Sequence, residues 1–134
     1  MKKFLTLSIS LLLLFCVISC KKKSAESNLN GSWELRRIEG IQVAGVDPNF
    51  KPGNGNKLIF TDRNFEWYDS NTLKMSGTFT IQPDVKNINN LKSNYNITLS
   101  TYPEKLYINL KGNKLVLFFG AIAADGTESH YEKL

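Results

Sequence analysis

The sequence predicts an all-β fold, an eight-stranded antiparallel up-and-down barrel that follows an N-terminal signal segment. Three observations lead to this prediction. Apolar and polar residues alternate with period two in most segments after residue 30, as in strands with one buried face. Turn-forming residues separate these segments. No window of helical length after the signal carries apolar residues at the spacing of an amphipathic helix.

Residues 1–19 have the composition of a secretory signal peptide, which is not part of the fold. A short basic start, MKK, precedes an apolar run over residues 4–18. A run of this length is typical of the apolar part of a signal and is shorter than the roughly 20 residues of a membrane span. We therefore expect residues 1–19 to be removed.

The signal ends in VISC, residues 17–20. This stretch resembles the lipobox of bacterial lipoproteins: an aliphatic residue, a loosely specified residue, a small residue and an obligatory cysteine. The resemblance implies cleavage before Cys20 and lipidation of its thiol, with acyl chains of the palmitate type. Two or more such chains make a stable membrane anchor. An ordinary secretory signal with an incidental Cys20 is the alternative, and Cys16 is disfavoured because the bulky Phe15 precedes it.

The charge of the chain is concentrated at its N-terminus. The net charge is +5, and five lysines lie at positions 2, 3 and 21–23. The rest is neutral, which argues against a nucleic-acid-binding surface. Residues 20–30 read as the lipidated cysteine and a polar tether, whose lysines can be attracted to anionic lipid head groups. They do not match the aspartate-type retention signal of the inner membrane, so we expect a cell-envelope protein at the outer membrane.

Residues 31–134 are predicted to form the barrel domain. The strands are predicted at about 32–39, 56–61, 64–69, 73–82, 93–101, 105–111, 114–120 and 127–133. Gly112-Asn113 and Asp125-Gly126 favour tight turns, and Gly77 favours a close approach within its strand. Residues 85–92 are interpreted as a helical turn. Successive hairpins give a meander, which loses its exposed edges by closing. A β-sandwich is the alternative.

The first strand begins with Gly31-Ser32-Trp33. This resembles the Gly-x-Trp motif that opens lipocalin-like (calycin) domains, here in the compact form found in bacterial lipoproteins. The resemblance implies that Trp33 closes one end of the barrel against a basic residue of the last strand. Lys133, helped by Tyr131, is the candidate, through a cation–π contact of about 1 kcal/mol. The family's central Thr-Asp-Tyr motif, its C-terminal Arg and its helix after the barrel are absent here.

Residues suited to catalysis or metal binding are scarce. Cys16 leaves with the signal and Cys20 carries lipid, so no thiol remains for a disulfide, a metal or a nucleophile. His130 is the single histidine, and one histidine near Glu128 and Glu132 is thin support for a metal site. We interpret it as a solvated surface residue. The sequence thus predicts a protein that is not an enzyme and has no metal or other cofactor.

Arg37 is the sharpest ligand-binding hypothesis. If Trp33 and Leu35 face inward, strict alternation also sends Arg37 inward, where it would need a carboxylate from the protein or a ligand. Fatty-acid-binding calycins use interior arginines in this way, so the resemblance supports the hypothesis. The favoured alternatives are a bulge at residues 36–37, which leaves both arginines in water and returns Ile38 to the core, or simply the end of the strand.

Large aromatic residues are expected to line the interior or its mouth. They are Phe60, Trp67, Phe79, Tyr95 and Phe119. A filled core is the alternative. Outward aromatics form a possible contact patch for an envelope protein or a glycan: Tyr68, Tyr107, Phe118 and Tyr131. Two functions follow: a membrane-anchored module that binds a small apolar molecule, or a structural or interaction subunit, accessory or inhibitory, that docks a partner protein on its outer face.

Overall fold

The computed structural model describes residues 24–134. The predicted signal peptide, Cys20 and the three lysines after it lie outside the described residues. No helix within residues 24–134 is long and apolar enough to cross a bilayer.

The described chain is built almost entirely of strands. In chain order its elements are α1 (Ala25–Leu29), β1 (Gly31–Glu39), β2 (Lys57–Thr61), β3 (Asn64–Asp69), β4 (Thr72–Pro83), β5 (Asn87–Ile88), β6 (Leu91–Lys92), β7 (Tyr95–Leu99), β8 (Leu106–Lys111), β9 (Lys114–Phe119), a 3-10 helix (Ile122–Ala124) and β10 (Thr127–Lys133). All eight predicted strands are confirmed, with differences of a few residues at their ends.

Eight strands close into one antiparallel barrel in the order β1-β10-β9-β8-β7-β4-β3-β2. The predicted fold is therefore confirmed, and the sandwich alternative is wrong. β1 pairs with β10 on one side and with β2 on the other. Closure leaves none of the eight strands with an unpaired edge.

The predicted turns rest on residues that accept a positive φ. Gly112, at a φ of 60°, lies in the two-residue connection between β8 and β9, as a tight turn requires. The tight turn predicted at Asp125-Gly126 is wrong, because Asp125, at a φ of 61°, caps the 3-10 helix in a longer connection between β9 and β10. Gly77, where a close approach was predicted, faces Ser100, and an added Cβ at Gly77 would overlap the Ser100 hydroxyl oxygen. The predicted close approach at Gly77 is therefore confirmed.

The core fills the barrel with side chains from all eight strands. The aromatic centre consists of Phe60 and Phe79, whose rings meet edge to face at 5.1 Å. Both side chains are buried, as is the neighbouring Phe65. This part of the interior is a packed core in the sense of the filled-barrel alternative.

The prediction of a helical turn over residues 85–92 is wrong. β5 and β6 form a small hairpin there, with Ile88 paired to Leu91 and Asn89 at a φ of 54° in the turn. Ile88 packs on the outer face of the barrel against Val116 and Phe118. Burial of Ile88 outweighs the weak helical preference of this asparagine-rich segment.

The hairpin also overturns the expected exposure of the outward aromatics. Phe118 is only 2% exposed, because it lies in a second apolar cluster beneath β5 and β6, beside the half-buried Tyr107. Tyr131 is 5% exposed and faces the interior core. The predicted contact patch is therefore largely covered.

Residues 24–30 differ from the expected polar tether. Residues 25–29 form helix α1, and the Ser24 hydroxyl accepts a hydrogen bond from the backbone N–H of Ser27 at 3.2 Å. This is an N-cap of the usual kind. Leu29 at the end of α1 is fully buried in the barrel core, which anchors the segment to the domain.

Candidate functional site: a cup at the open end of the barrel

Trp33 lies at one end of the barrel and is 0% exposed. Its indole N–H donates a hydrogen bond of 2.7 Å to the Leu29 carbonyl oxygen. Lys133 Nζ lies 5.1 Å from the Trp33 ring centroid and donates to the Asn28 carbonyl oxygen at 3.2 Å. The indole is therefore covered by α1 on one side and by Lys133 on another. We call this region the closed end.

The surroundings of residue 31 explain why β1 begins with glycine. Its φ is +129°, and an added Cβ would stand 2.7 Å from Lys133 Cε. Only glycine accepts both this backbone conformation and the lysine side chain crossing so close to it. The Gly-x-Trp motif thus has a local steric reason in this chain: glycine makes room for the lysine that covers the tryptophan.

A cup of about 590 Å³ opens to solvent on another side of the interior. Its apolar and aromatic lining consists of Leu35, Ile38, Phe50, Trp67, Met75, Tyr102 and Tyr131. Its polar lining consists of Asn56, Tyr68, Asp69, Ser70, Lys74 and Ser129. Cavities of roughly 300–1,000 Å³ with an apolar lining and a few polar groups are typical of small-molecule sites.

The wall of the cup is an aromatic cluster that is not fully covered. The Trp67 and Phe119 rings lie 5.9 Å apart, and the Phe119 and Tyr102 rings 6.4 Å apart. These three side chains and Met75 are only partly buried against the core. Large apolar side chains left half-covered in a concave surface are available to a ligand.

Tyr131 lies in register with Leu35 and lines the cup. Burial raises the pKa of its hydroxyl above the ordinary tyrosine value. The hydroxyl therefore stays neutral at physiological pH and can donate or accept a hydrogen bond. Together with Ser129 it gives the apolar cup an uncharged polar group.

The predicted ligand-binding aromatics are divided among three places. Trp67 lines the cup, and Phe119 packs against it. Phe60 and Phe79 are buried in the packed core. Tyr95 lies in a separate depression near the closed end that Lys133 also lines. Of the five, only Trp67 lines the cup, and Phe119 packs against it from outside the lining.

Arg37 lies on the outer surface. The register between β1 and β10 shifts between Leu35 and Arg37, which is the bulge that the sequence favoured. The Arg37 side chain is 51% exposed and lies 3.2 Å from a carboxylate oxygen of Glu39. Ile38 is returned to the interior, where it lines the cup. The bulge therefore removes the guanidinium from the barrel interior.

Arg36 was expected in water and is instead held in an ion pair. Its guanidinium hydrogen-bonds the buried carboxylate of Glu34 and lies 3.4 Å from Glu132. The bond from Arg36 holds the pKa of Glu34 below its ordinary value. The Glu34 carboxylate also accepts from the Gly53 N–H at 3.0 and 3.1 Å, so the pair secures the loop beside the cup.

Sequence reasoning missed several lining residues. Leu35 and Met75 follow the inward alternation of their strands and could have been included on that signal. Phe50 lies in the connection between β1 and β2, where no alternation of apolar and polar residues indicates which side chains face inward. It is placed by two backbone hydrogen bonds: Phe50 N–H donates to the Arg36 carbonyl oxygen at 2.8 Å, and Ile38 N–H to the Pro48 carbonyl oxygen at 2.9 Å.

Comparison of the chain with models of protein families, with curated proteins and with solved structures gives no match. The structure itself shows a closed eight-stranded antiparallel barrel, which is compatible with a lipocalin-like fold. The chemistry of the cup therefore has to be inferred from its own residues.

Proposed function

We propose that this protein binds a small, largely apolar molecule in the cup, without catalysis, while lipid on Cys20 anchors it in the cell envelope. The observation that carries the proposal is the half-covered aromatic wall of the cup in an otherwise well-packed barrel. A barrel of eight strands can hold one small ligand where its interior is not filled by side chains.

The charges of the cup favour an uncharged ligand. Its two charged lining residues are Asp69 and Lys74. Both are exposed, and Lys74 Nζ lies 3.7 Å from Asp69 Oδ2. The two charges offset one another, and the remaining polar lining groups are hydroxyls and an amide. The lining therefore suits a neutral molecule with an apolar body and one or two polar groups.

The proposed anchor would leave the cup accessible. The described chain enters the barrel through α1, which covers the closed end. Three residues separate Cys20 from Ser24, and the four steps along the chain reach at most about 14 Å when extended. In the proposed arrangement the closed end faces the membrane and the cup faces away from it. This orientation suits a carrier or receptor for molecules in the surrounding compartment.

Binding can be tested with the neutral fluorescent probe N-phenyl-1-naphthylamine and a matched pair of variants on β4. Met75 lines the cup, whereas Leu73 on the same strand is exposed. We expect the probe to brighten in the wild-type protein and in Leu73→Trp. We expect Met75→Trp, which fills the cup, to abolish the response. Equal probe binding by both variants would contradict the proposed site.

The anchor needs a separate experiment. We expect mass spectrometry of the protein from its native membranes to find acyl chains on an N-terminal Cys20, and Cys20→Ser to be released into the soluble fraction. The Cys16→Ser variant is the control and should remain acylated. An unmodified Cys20 thiol in the membrane-bound protein would rule out this half of the proposal and leave the cup unaffected.

The alternative, an accessory or inhibitory subunit that docks an envelope protein, has less support from the structure. It relied on exposed aromatic residues on the outer face, and Phe118 is buried beneath the β5–β6 hairpin. Copurification of a stoichiometric partner with both Met75→Trp and the wild-type protein would favour it over ligand binding.

A further inference from the structure

Three side chains with metal-binding atoms meet on the outer face of the barrel, and none of them lines the cup. Glu39 at the end of β1 lies in register with Glu128 of β10, and His130 follows two residues later on the same face. One ligand atom of each residue lies within 4.8 Å of the other two. We call Glu39, Glu128 and His130 the outer cluster.

The outer cluster lies at the surface but is partly buried: the side chains of Glu39 and His130 are 38% and 27% exposed. The Glu128 side chain is 3% exposed. His130 Nε2 is inaccessible to solvent and makes no hydrogen bond. Yet it lies 3.3 Å from Glu128 Oε2 and 3.8 Å from Glu39 Oε1. A buried imidazole nitrogen that faces two carboxylates without bonding to either is incompletely satisfied.

The distances within the outer cluster are compatible with a shared metal ion. A charge-assisted N–H···O bond would bring nitrogen and oxygen to about 2.7–2.9 Å. Ligands bound to Zn²⁺ at about 2.0–2.1 Å in tetrahedral geometry are about 3.3–3.4 Å from each other. The separation of 3.3 Å between His130 and Glu128 fits a shared cation. Glu39, whose side chain is 38% exposed, lies 3.8 Å from His130 Nε2 and has to move closer to share the ion.

A neighbouring residue orients the buried carboxylate. Asn89 of the β5–β6 turn donates a hydrogen bond of 2.6 Å to Glu128 Oε1. This leaves Oε2 of the same carboxylate facing His130. Hydrogen bonds that fix one oxygen of a carboxylate while the other binds are common around metal ions.

The charges of the outer cluster also favour a cation. Two carboxylates directly opposite each other on adjacent strands repel. Arg37 lies 3.2 Å from Glu39 Oε1 and offsets that charge. The buried carboxylate of Glu128 has the amide of Asn89 and the imidazole of His130 as its polar neighbours. A bound cation would supply the missing positive charge.

We propose that Glu39, Glu128 and His130 bind one divalent cation of the zinc class, with water as the fourth ligand. An imidazole with carboxylates suits Zn²⁺ and its transition-metal neighbours, whereas Mg²⁺ and Ca²⁺ prefer oxygen ligands alone. The ion would join the ends of β1 and β10 and, through Asn89, fasten the β5–β6 hairpin.

The single histidine of the chain makes the test direct. Zn²⁺ is titrated into the untagged protein in detergent, with binding followed by calorimetry and the His130 ring followed by NMR. We expect one site, a shift of the His130 Cε1–H resonance that saturates with the heat, and no such response to Mg²⁺. We expect His130→Gln and Glu128→Gln to weaken binding by more than about tenfold, and Asn89→Ala by about tenfold.

Glu132→Gln is the matched control, because Glu132 is an outward carboxylate on the same strand that pairs with Arg36 instead. It should bind Zn²⁺ like the wild-type protein. If Glu128→Gln does not fold, Glu39→Gln on the exposed side of the cluster replaces it, with the same expectation. An unchanged His130 resonance at saturating Zn²⁺, or equal affinity in the cluster variants and the control, would overturn the proposal. Neither result would bear on ligand binding in the cup.

Discussion

The closed end and the cup use the same kind of residue in opposite ways. At the closed end Trp33 is fully buried, hydrogen-bonded to Leu29 and covered by Lys133. In the cup Trp67 is only partly buried, and its ring packs against Phe119 along an open wall. The role of an aromatic residue in this barrel therefore depends on what covers it. Helix α1 covers Trp33 at the closed end, whereas Trp67 lines a cup that is open to solvent.

The largest expected difference concerns the two tryptophans themselves. Trp33→Ala should lower the free energy of unfolding by about 3–5 kcal/mol, because it removes a fully buried side chain and leaves a cavity. Trp67→Ala should cost about 1–2 kcal/mol, because its side chain is only partly buried. Urea denaturation measures both. Equal losses would remove the distinction between the two regions.

Substitution of Trp67 should affect probe affinity more than substitution of Trp33, the reverse of their effects on stability. Trp67→Ala removes part of the cup wall and should weaken N-phenyl-1-naphthylamine binding by about tenfold, which corresponds to about 1.4 kcal/mol. The milder Trp33→Phe variant keeps an aromatic ring at the closed end and should leave the affinity within about twofold of wild type. A larger loss in Trp33→Phe than in Trp67→Ala would place the probe elsewhere.

The steric role of Gly31 can be separated from its backbone strain. Gly31→Ala should destabilise the protein by about 1–3 kcal/mol, because the residue has a positive φ and its Cβ would meet Lys133. Gly45→Ala is the control: Gly45 also has a positive φ, but nothing lies within 4 Å of its added Cβ. Thermal unfolding should rank Gly31→Ala as the more damaging change. If Gly45→Ala were the more damaging change, the close contact with Lys133 would not explain the glycine at position 31.

The cation–π contact at the closed end is expected to be weaker. Lys133→Met keeps the apolar stem over Trp33 and removes the charge, at a cost of about 0.5–1 kcal/mol. Lys111→Met, at an exposed position of β8, should change stability by less. Double-mutant cycles with Trp33→Leu measure the coupling, and a coupling of zero would mean that Lys133 covers the indole only through its stem.

The smallest expected effect on stability concerns Glu34, beside the cup, and should appear at acid pH. Arg36 holds the pKa of Glu34 below its ordinary value, so the native state binds the proton of this carboxyl more weakly than the unfolded chain does. Its stabilising contribution is present at neutral pH and is lost as the pH falls below about 4.5. We expect Glu34→Gln to flatten this part of the stability curve and to speed amide exchange at Gly53. Glu104→Gln, exposed on the surface, should leave both unchanged.

The sequence predicted the eight strands because alternation and turn chemistry are local properties. It favoured the bulge at residues 36–37 for a general reason, the cost of an unpaired guanidinium inside a barrel. It did not predict α1, because a five-residue polar helix is too short to show a periodic pattern and depends on the burial of Leu29. The β5–β6 hairpin likewise depends on distant contacts of Ile88.

The cup shows a different limit of sequence reasoning. Alternation identifies which side chains face inward, but it does not say how completely they fill the space between them. Trp67 and Phe79 are both inward aromatics, yet Phe79 is core and Trp67 lines the cup. The cup is also lined by Phe50 and Tyr102, which lie in irregular connections. Tertiary hydrogen bonds set the path of these connections, so alternation along the strands does not predict it.

The pairing of β1 with β10 has a consequence for biosynthesis. Trp33 and Lys133 are paired across about a hundred positions of sequence. Ribosomes add roughly 5–20 residues per second, so β1 emerges several seconds before the strand that completes its hydrogen bonds. During that interval the edge of β1 that pairs with β10 lacks its partner. The barrel can therefore close only after its last strand has been made.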